Sequence, residues 1–506
     1  MKAVLLAGGF GTRMRPLTFS KPKPLLPLVN KPVLLHILEH LNRHGVDEVF
    51  LTTNYLRDQI IKQVGFEYNG LKINYPVEEQ PRGTAGCVKN ITEGLDETFL
   101  VVQGDTITDI DLTQLVKQHR YYSGLATIAG YTVEDPWNYG VMELQDDGQV
   151  RHFREKPVLE ECMSNLANTG IYVLEPEVLE HIPCDTFYDF AKDLFPVLLE
   201  RGSIYASRFD GFWVDVGQPG GYLKARNWIM DGLKTSIAPS VQIDGRVEGN
   251  IIIGENTIIE NGVELKGPII LGSDIVIKKG SRIGPYTSFE DDVYLGKGSA
   301  LQGAIIFSNT SIGSKANITD SFIAENCVLG TNDSLQSEVL IGPGCSLGGN
   351  ISVSEGSKIW PNIHVVDNSM ISGTLRSFIP PKIIHYDARW SLRTVSPDEA
   401  FYFNKSDAGY IQYTGLRARS LWEFNDILKH VDARSMHYHL RSELNDFSVW
   451  LSKVISDDEL AKSFNNIKAE LTVNHIDVKN VRKLMVEASR NRIADLIENV
   501  RPSGYL

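Results

Sequence analysis

The chain has 506 residues, 42% of them hydrophobic and 22% charged, a composition typical of a globular chain; at roughly 150 residues per domain it predicts about three domains. Its net charge of −13 argues against nucleic-acid or anionic-membrane partners, and without an apolar run of about 18 residues no transmembrane helix is predicted. Its five cysteines lack Cys-x-x-Cys spacing, which favours a reducing cytoplasm and predicts no structural zinc site.

Residues 1–235 alternate short apolar runs with amphipathic segments. Strands are predicted over Ala3–Leu6, Glu48–Thr52, Phe99–Val102 and Ala126–Ala129, and helices over Val33–His44 and Leu112–Tyr122. This alternation predicts an α/β domain with a mostly parallel sheet. Ligands bind at the carboxyl ends of such strands, so the loops after Leu6 and Val102 are the first candidates for a site.

The segment that follows the first predicted strand is rich in glycine, cations and proline. Leu6–Lys31 reads LAGGFGTRMRPLTFSKPKPLLPLVNK. Its glycines would let the backbone turn several N–H groups toward an anion: Gly8, Gly9 and Gly11. Its cations would suit a polyphosphate: Arg13, Arg15, Lys21 and Lys23. The string is neither a Walker A motif nor a GxGxxG fingerprint.

A second block repeats an apolar residue every six positions. The series runs Val241, Val247, Ile253, Ile259, Leu265, Leu271, Ile277, Ile283, Phe289, Leu295, Leu301 and Phe307; after two steps of five around Ile318 it resumes from Ile323 to Ile371. A helix cannot keep such positions on one face, because six residues sweep about 600°. We therefore predict about seven coils with three six-residue sides each, and glycine at the corners, where tight turns need positive φ. The pattern resembles the hexapeptide-repeat left-handed parallel β-helix and is assigned to residues 236–378.

Residues 379–506 predict a mainly α-helical domain of unknown role. Phe401–Phe403 reads as a short strand, and apolar residues at helical spacing begin after Ser420. Ser456 and Glu459 have the spacing of a capping box. His437 and His439 lie two apart, on different helix faces, so they predict no shared metal.

The glycine-rich segment carries a family resemblance. Through Pro27 it matches, residue for residue, the pattern GxGTRxxPLTxxxPKPLxP of sugar-1-phosphate nucleotidyltransferases, also called nucleoside-diphosphate-sugar pyrophosphorylases. The resemblance implies a Rossmann-like nucleotidyltransferase domain with a mixed, mostly parallel sheet over residues 1–235. It also implies transfer of a nucleotidyl group from a nucleoside triphosphate to a sugar 1-phosphate. Arg434–Leu451 is similar to an uncharacterised helical domain sometimes appended to sugar-nucleotide enzymes.

The same resemblance implies roles for individual residues. Those implied to bind the nucleotide are Leu6, Ala7, Gly8, Gly9, Gly11, Thr12, Arg13, Gln80 and Gly86, with Gln80 at the base and Gly86 allowing close approach. Those implied to bind the sugar phosphate are Tyr139, Gly140, Glu155, Lys156, Asn168, Thr169 and Gly170, with Lys156 on the phosphate. The implied catalytic residues are Arg13, Lys23 and Asp105, and the implied ligands of a Mg²⁺ cofactor are Asp105 and Asp215.

The implied reaction needs no general base, because the attacking phosphate oxygen is already ionised at neutral pH. The protein's task is then to position the two substrates and to neutralise charge. Lys156 would hold the attacking phosphate, and Arg13 with the glycine-rich loop would hold the triphosphate. Lys23 would lie between them and stabilise charge on the α-phosphate.

Several alternatives stay open from the sequence. An amide such as that of Gln80 offers both a donor and an acceptor, so it does not choose the base. Guanylyl transfer to mannose 1-phosphate is preferred, on similarity to mannose-1-phosphate guanylyltransferases, over uridylyl or thymidylyl transfer to glucose 1-phosphate.

The β-helix could instead be an acetyltransferase, although residues 241–375 hold a single histidine, His364; otherwise we expect it to be a rigid spacer and a homo-oligomer interface. A non-catalytic regulatory subunit is a further alternative, although such subunits usually lose signature residues that are present here.

Overall fold

The computed structural model describes residues 1–77, 82–91, 94–158, 162–376, 391, 395, 397–407, 410–440, 445–473 and 477–498. The chain forms two compact units. One comprises Met1–Met14 with Thr18–Ile229, and the other comprises Arg15–Leu17 with Met230–Leu506.

The first unit is built on a ten-stranded mixed sheet with helices between its strands. The strands of this unit are β1 (Lys2–Leu6), β2 (Pro27–Leu28), β3 (Lys31–Pro32), β4 (Glu48–Thr52), β5 (Glu67–Tyr68), β6 (Leu71–Asn74), β7 (Phe99–Gln103), β8 (Thr106–Thr108), β9 (Ala126–Thr132), β10 (Gly140–Leu144), β11 (Val150–Glu155), β12 (Leu166–Leu174), β13 (Ile204–Phe209) and β14 (Trp213–Asp215). Its helices are α1 (Val33–Arg43), α2 (Arg57–Val64), α3 (Gly83–Lys89), α4 (Leu112–Tyr122), α5 (Phe195–Glu200) and α6 (Pro219–Asp231).

The order of strands puts the glycine-rich loop at the centre of the sheet. The main path is β11-β10-β12-β7-β1-β4-β6-β5, with β9 pairing with β12 and β13. Strands β7, β1, β4 and β6 run parallel to one another, whereas β12 runs antiparallel to β7. Strands β1 and β7 are apolar along almost their whole length because both faces are covered. The mixed, centrally parallel Rossmann-like sheet confirms the predicted fold of this region.

The second unit contains a parallel β-solenoid made of three sheets. The first sheet is β15 (Ser236–Ile237), β18 (Ile251–Ile253), β21 (Ile269–Leu271), β24 (Thr287–Phe289), β27 (Ile305–Ile306), β30 (Phe322–Ile323), β33 (Leu340–Ile341), β36 (Lys358–Ile359) and β39 (Thr374–Leu375). The second is β16 (Gln242–Ile243), β19 (Ile258–Ile259), β22 (Val276–Ile277), β25 (Tyr294–Leu295), β28 (Ser311–Ile312), β31 (Val328–Leu329), β34 (Ser346–Leu347) and β37 (His364–Val365). The third is β17 (Arg246–Glu248), β20 (Glu264–Lys266), β23 (Arg282–Ile283), β26 (Ala300–Gln302), β29 (Asn317–Thr319), β32 (Ser334–Leu335), β35 (Ser352–Val353) and β38 (Met370–Ile371). Sheets of nine, eight and eight strands make eight coils and one further strand, one coil more than predicted.

The strand pairing corrects one inward position of the six-residue series. Ile306 lies opposite Phe289 on one side and Ile323 on the other, and it joins the apolar core of the solenoid. The predicted residue, Phe307, is buried but is not part of that core cluster. The corner between Leu301 and Ile306 is therefore one residue shorter than the pattern indicates.

The corners of the solenoid use glycine differently from the prediction. Asparagine and aspartate take many of the corner positions with positive φ, among them Asn256, Asp274 and Asn326. Other glycines are needed because successive coils stack closely: a methyl group on Gly313 would overlap the backbone of Gly330. Glycine here serves the contact between coils as much as the turn itself.

After the solenoid the chain forms a hairpin and a group of helices. These are β40 (Phe401–Asp407), β41 (Tyr410–Ala418), α7 (Leu421–Leu428), α8 (Ala433–His439), α9 (Asp446–Lys453), α10 (Asp458–Val473) and α11 (Val478–Glu498). The helical prediction is confirmed, but the strand at Phe401–Phe403 is one arm of a longer hairpin.

The capping-box prediction is wrong: the Asp457 carboxylate accepts the Leu460 N–H at 2.9 Å, while Ser456 has a φ of 62°. His439 is buried and Asp446 lies 3.0 Å from its Nδ1, so it is a core histidine.

Arg376, just after the last strand of the solenoid, contacts the first helix that follows the hairpin. The Arg376 guanidinium donates to both carboxylate oxygens of Asp426 in α7, and it lies 4.4 Å from the ring centre of Trp360. The side chains of Arg376 and Asp426 are 33% and 28% exposed, so the pair is only partly accessible to solvent. Two charge-assisted hydrogen bonds on an aromatic face make this a stronger contact than an ordinary surface ion pair.

We expect Arg376→Ala to destabilise the second unit by about 1–3 kcal/mol, because the bonds to a charged partner and the packing on Trp360 are both lost. Calorimetry of the full chain would measure the fall in its unfolding temperature. The matched control is Arg282→Ala, which removes an exposed pair with Glu264 at 3.5 Å; we expect it to cost less than about 0.5 kcal/mol. Equal losses in the two variants would contradict the assignment.

Candidate active site

The carboxyl ends of β1 and β7 meet at the centre of the sheet. The Gly104 N–H donates to the Leu6 carbonyl at 2.8 Å, and a Cβ on Gly104 would lie 2.9 Å from that of Ala7. The loop after β1 and the Gly-Asp pair after β7 are therefore neighbours. The two loops that were the first candidates for a site, those after Leu6 and Val102, thus lie side by side.

Two ion pairs occupy this junction. The Lys23 ammonium contacts the Asp105 carboxylate, and its side chain is only 11% exposed. Arg13 Nη2 lies 3.5 Å from Asp215 Oδ2. The antiparallel pairing of β14 with β8 brings the two carboxylates together, since the Val216 N–H donates to the Asp105 carbonyl at 2.8 Å.

Gly217 lies where the two ion pairs converge. Its N–H donates to Asp215 Oδ1 at 2.6 Å. A Cβ at this position would lie 2.7 Å from Arg13 Nη2 and 3.1 Å from Lys23 Nζ. Two cations and two carboxylates thus surround one backbone position, which gives a compact site of alternating charge.

The two carboxylates fit a hard divalent cation. Burial and the charge of Asp105 raise the pKa of Asp215, and Lys23 and Arg13 only partly offset this. A cation between the carboxylates would relieve that repulsion. The described residues hold no cluster of three or more His, Cys, Asp or Glu side chains able to bind a metal, but Mg²⁺ typically takes one or two carboxylates and completes its shell with water and phosphate oxygens.

The predicted sugar-phosphate residues of β10 and β11 lie side by side. Gly140 pairs with Glu155, and a Cβ on Gly140 would lie 2.6 Å from Glu155 Oε2. The Lys156 N–H donates to the Tyr139 carbonyl at 3.0 Å, and the Lys156 side chain is exposed. Burial raises the pKa of Glu155, with Lys156 opposing the shift. Burial also raises the pKa of Tyr139, to about 12.

Trp213 joins the last predicted sugar-binding segment, Asn168–Gly170, to the strand of Asp215; this segment is an irregular stretch of β12 and not the loop that the sequence predicts. Its indole N–H donates to the Thr169 carbonyl at 3.1 Å, and its ring centre lies 5.2 Å from that of Tyr139. Thr169 Oγ1 donates to the Ala129 carbonyl at 2.7 Å, which holds this part of β12 on β9. Sequence reasoning gave Trp213 no role, although it begins the WVDVG string that contains Asp215. Its bonds to residues far away in the chain become visible only in the fold.

The predicted nucleotide-binding glycines have different structural roles. Gly11 has a φ of 60° and its carbonyl accepts the Thr18 hydroxyl at 2.9 Å, so it closes the turn of the loop. Gly9 is exposed, and a Cβ there would meet no atom within 4 Å. Gly86 approaches its own chain closely, since its Cβ would lie 2.8 Å from the Thr186 carbonyl oxygen. Gln80 lies outside the described residues.

Leu6, Ala7, Gly8 and Thr12 complete the predicted loop. Leu6 and Ala7 are buried at the end of β1, Gly8 is half-buried and Thr12 is exposed. The chain therefore leaves the core and reaches solvent within a few residues, an arrangement that leaves backbone N–H groups of the loop accessible to an anion.

Comparison with known proteins gives matches along most of the chain. Residues 2–232 match the family described as nucleotidyl transferase, residues 265–375 the GMPPB C-terminal domain, and residues 382–469 a family of unknown function (DUF5752). The UTP–glucose-1-phosphate uridylyltransferase of Synechocystis sp. is 36% identical over 297 residues, which cover 52% of this chain and 76% of that protein.

Two guanylyltransferases are similarly related. The mannose-1-phosphate guanylyltransferase catalytic subunit beta of Drosophila pseudoobscura pseudoobscura is 37% identical over 269 residues, covering 52% of this chain and 72% of that protein. The probable mannose-1-phosphate guanylyltransferase 2 of Arabidopsis thaliana is 36% identical over 272 residues, covering 52% of this chain and 74% of that protein. Across the described part of the chain, no helix is both long and apolar enough to cross a membrane.

Proposed function

Because the chain belongs to the sugar-1-phosphate nucleotidyltransferases, we propose that it transfers the guanylyl group of GTP to mannose 1-phosphate and releases pyrophosphate. The observation that carries the residue assignment is the convergence of the Lys23–Asp105 and Arg13–Asp215 pairs at Gly217. Such alternating charge suits a reaction in which a phosphate oxygen attacks the α-phosphorus of a triphosphate, since negative charge must be neutralised at several neighbouring oxygens.

Each cation has a separate task in the proposed mechanism. Exposed Lys156 binds the phosphate of the sugar substrate, whose ionised oxygen is the nucleophile. Arg13 and the backbone of the loop after β1 hold the triphosphate, and the Arg13 side chain is half-exposed beside Asp215. Buried Lys23 is held by Asp105 and donates to the α-phosphate as charge develops there.

We also propose Asp105 and Asp215 as the protein ligands of a Mg²⁺ ion. The ion, when bound, supplies positive charge to the phosphate oxygens and so helps to neutralise them. Support comes from the chemistry of the pair, two carboxylates brought together by β8 and β14 under mutual repulsion.

The choice of base and sugar is the finer part of the proposal. The solenoid region matches the GMPPB C-terminal domain, and two of the relatives are named for guanylyl transfer to mannose 1-phosphate. Uridylyl transfer to glucose 1-phosphate is the second candidate, because an equally similar relative bears that name.

A substrate matrix tests the proposal directly. Purified chain is incubated with GTP, UTP, dTTP, CTP or ATP, each against mannose 1-phosphate and glucose 1-phosphate, and pyrophosphate release is measured. We expect kcat/KM for GTP with mannose 1-phosphate to exceed every other combination by at least about tenfold, the effect of about 1.4 kcal/mol of differential transition-state binding. Preference for UTP with glucose 1-phosphate would establish the second candidate instead, and no turnover with any pair would overturn nucleotidyl transfer.

Two further parts of the proposal concern the setting of the enzyme. All five cysteines are free thiols, which supports a reducing, cytoplasmic location.

The long regular solenoid offers a rigid surface for a homo-oligomer, and light scattering on the purified full chain would measure its mass. A monomeric mass at micromolar concentration would contradict the oligomer.

A further inference from the structure

Gln103 is the last residue of β7 and directly precedes Gly104 and Asp105. It lies at the junction of the candidate active site, yet no motif of the sequence includes it. Its side chain is half-buried, at the carboxyl end of the strand.

The predicted sugar-binding segment of β12 packs against this side chain. Gly170 has a φ of 75°, and a methyl group at that position would overlap Cγ of Gln103. Glycine at position 170 is therefore needed for two reasons, its backbone conformation and the space that Gln103 occupies.

The Gln103 side chain lies close to a buried hydroxyl. Tyr172 is only 2% exposed, and its hydroxyl accepts the Asn168 Nδ2–H at 3.1 Å. Burial raises the pKa of Tyr172 and the Glu155 charge adds to the shift, whereas the neighbouring Asn168 and Gln103 side chains oppose it. Tyr172 therefore connects Gln103 with two members of the predicted sugar-phosphate set.

An amide side chain can serve two partners at once. Its carbonyl accepts and its NH₂ donates, so one group can serve Tyr172 while the other is left for a hydroxyl of the substrate. From this arrangement we propose that Gln103 is a specificity-determining residue that hydrogen-bonds a ring hydroxyl of the sugar 1-phosphate, a role that rests on the proposed function. Tyr172 acts through it as a positioning residue and does not touch the substrate.

The proposal is tested by removing the partners on both sides of the bond. The enzyme variants are Gln103→Leu, Gln103→Glu and Tyr172→Phe, with Gln114→Leu on the exposed face of α4 as the matched control. The substrates are mannose 1-phosphate and glucose 1-phosphate, each with its monodeoxy analogues at the ring positions and at C6. The measured quantity is kcat/KM for each parent sugar divided by that for each analogue.

We expect the wild-type enzyme to prefer the parent over one analogue by roughly 3- to 10-fold or more, the worth of one neutral hydrogen bond. Gln103→Leu should bring that one ratio to about one and leave the ratios at other positions unchanged. Tyr172→Phe should lower the same ratio partly. In every variant, KM for the nucleoside triphosphate should stay within about twofold of the wild-type value. The control Gln114→Leu should leave all the ratios unchanged.

Two results would overturn the proposal. One is an unchanged set of ratios in Gln103→Leu and Gln103→Glu despite lower activity, which would mean that Gln103 only packs; the other is a wild-type enzyme that ignores every hydroxyl. Failure of the proposed function is distinguishable, because the wild type would then release no pyrophosphate with either parent sugar. Should Gln103→Leu not fold, Gln103→Met keeps the length of the side chain without its amide and supplies the same comparison.

Discussion

Replacing Lys23 by alanine is expected to lower kcat by at least about a hundredfold, the usual effect of removing a preorganised donor from a transition state. The Lys23 side chain is 11% exposed and its ammonium contacts Asp105. It is therefore already desolvated and fixed, so that it adds little reorganisation energy when charge develops on the α-phosphate. Because its effect is greatest in the transition state, KM for both substrates should change less than kcat.

Steady-state pyrophosphate release measures this effect, and the chain offers a matched control. Lys2 begins β1, whereas Lys23 lies near its carboxyl end, and Lys2 pairs with Asp96 at 3.1 Å. Lys2→Ala removes a lysine–aspartate pair of the same type at the opposite edge of the sheet, so its kcat should stay within about twofold of the wild type, as expected for a surface pair. Near-normal turnover by Lys23→Ala would refute the catalytic assignment.

Local patterns in the sequence predict much of this fold because a single physical constraint repeats along them. Every inward position of the solenoid must be apolar, so the six-residue period shows the architecture before any pairing is known. The central strands β1 and β7 are similarly evident, since both of their faces are covered and the runs are continuously apolar.

The errors arise where two residues satisfy the same local rule. Ile306 and Phe307 are both apolar, so the pattern alone cannot show which one enters the core. The choice is made by pairing with Phe289 and Ile323, a contact between coils. The arm β41 gave no strand signal because most of its residues are exposed and a register shift interrupts the alternation.

Some residues of the candidate site can likewise be predicted from local sequence, and others cannot. The glycine-rich loop and its cations are contiguous in sequence, and their composition already indicates an anion site. Trp213 and Gln103 could not be found this way, because each acts through residues about 40 or more positions away, such as Thr169 and Gly170. Such contacts depend on the register of strands, which local spacing does not specify.

Asp215→Asn is expected to separate stability from activity. Burial and the neighbouring Asp105 raise the pKa of Asp215, so the folded protein without metal holds this carboxylate at a cost. The amide keeps an oxygen for the Gly217 N–H bond, which is 2.6 Å long in the wild type. The variant should therefore have a higher Tm than the wild type without Mg²⁺ near neutral pH, while kcat falls by at least about a hundredfold.

The pH dependence of this difference follows from the direction of the shift. Below the ordinary carboxyl pKa of 3.8 the side chain is protonated in both folded and unfolded chains, so the variant has no advantage there. As pH rises from 3.8 through the raised pKa of the folded state, the folded chain binds more protons than the unfolded one, and the wild type loses stability relative to the variant. Above the raised pKa the difference is complete and constant.

Addition of Mg²⁺ provides a readout that does not depend on turnover. An ion that binds only the folded protein raises its Tm by mass action, so we expect millimolar Mg²⁺ to raise the Tm of the wild type and to leave that of Asp215→Asn almost unchanged. Asp96→Asn, an exposed aspartate at the other edge of the sheet, should respond to Mg²⁺ as the wild type does. If Mg²⁺ shifts the Tm of Asp215→Asn as much as that of the wild type, Asp215 is not a ligand. If Asp215→Asn is less stable than the wild type without Mg²⁺, the pair with Arg13 outweighs the repulsion between Asp215 and Asp105.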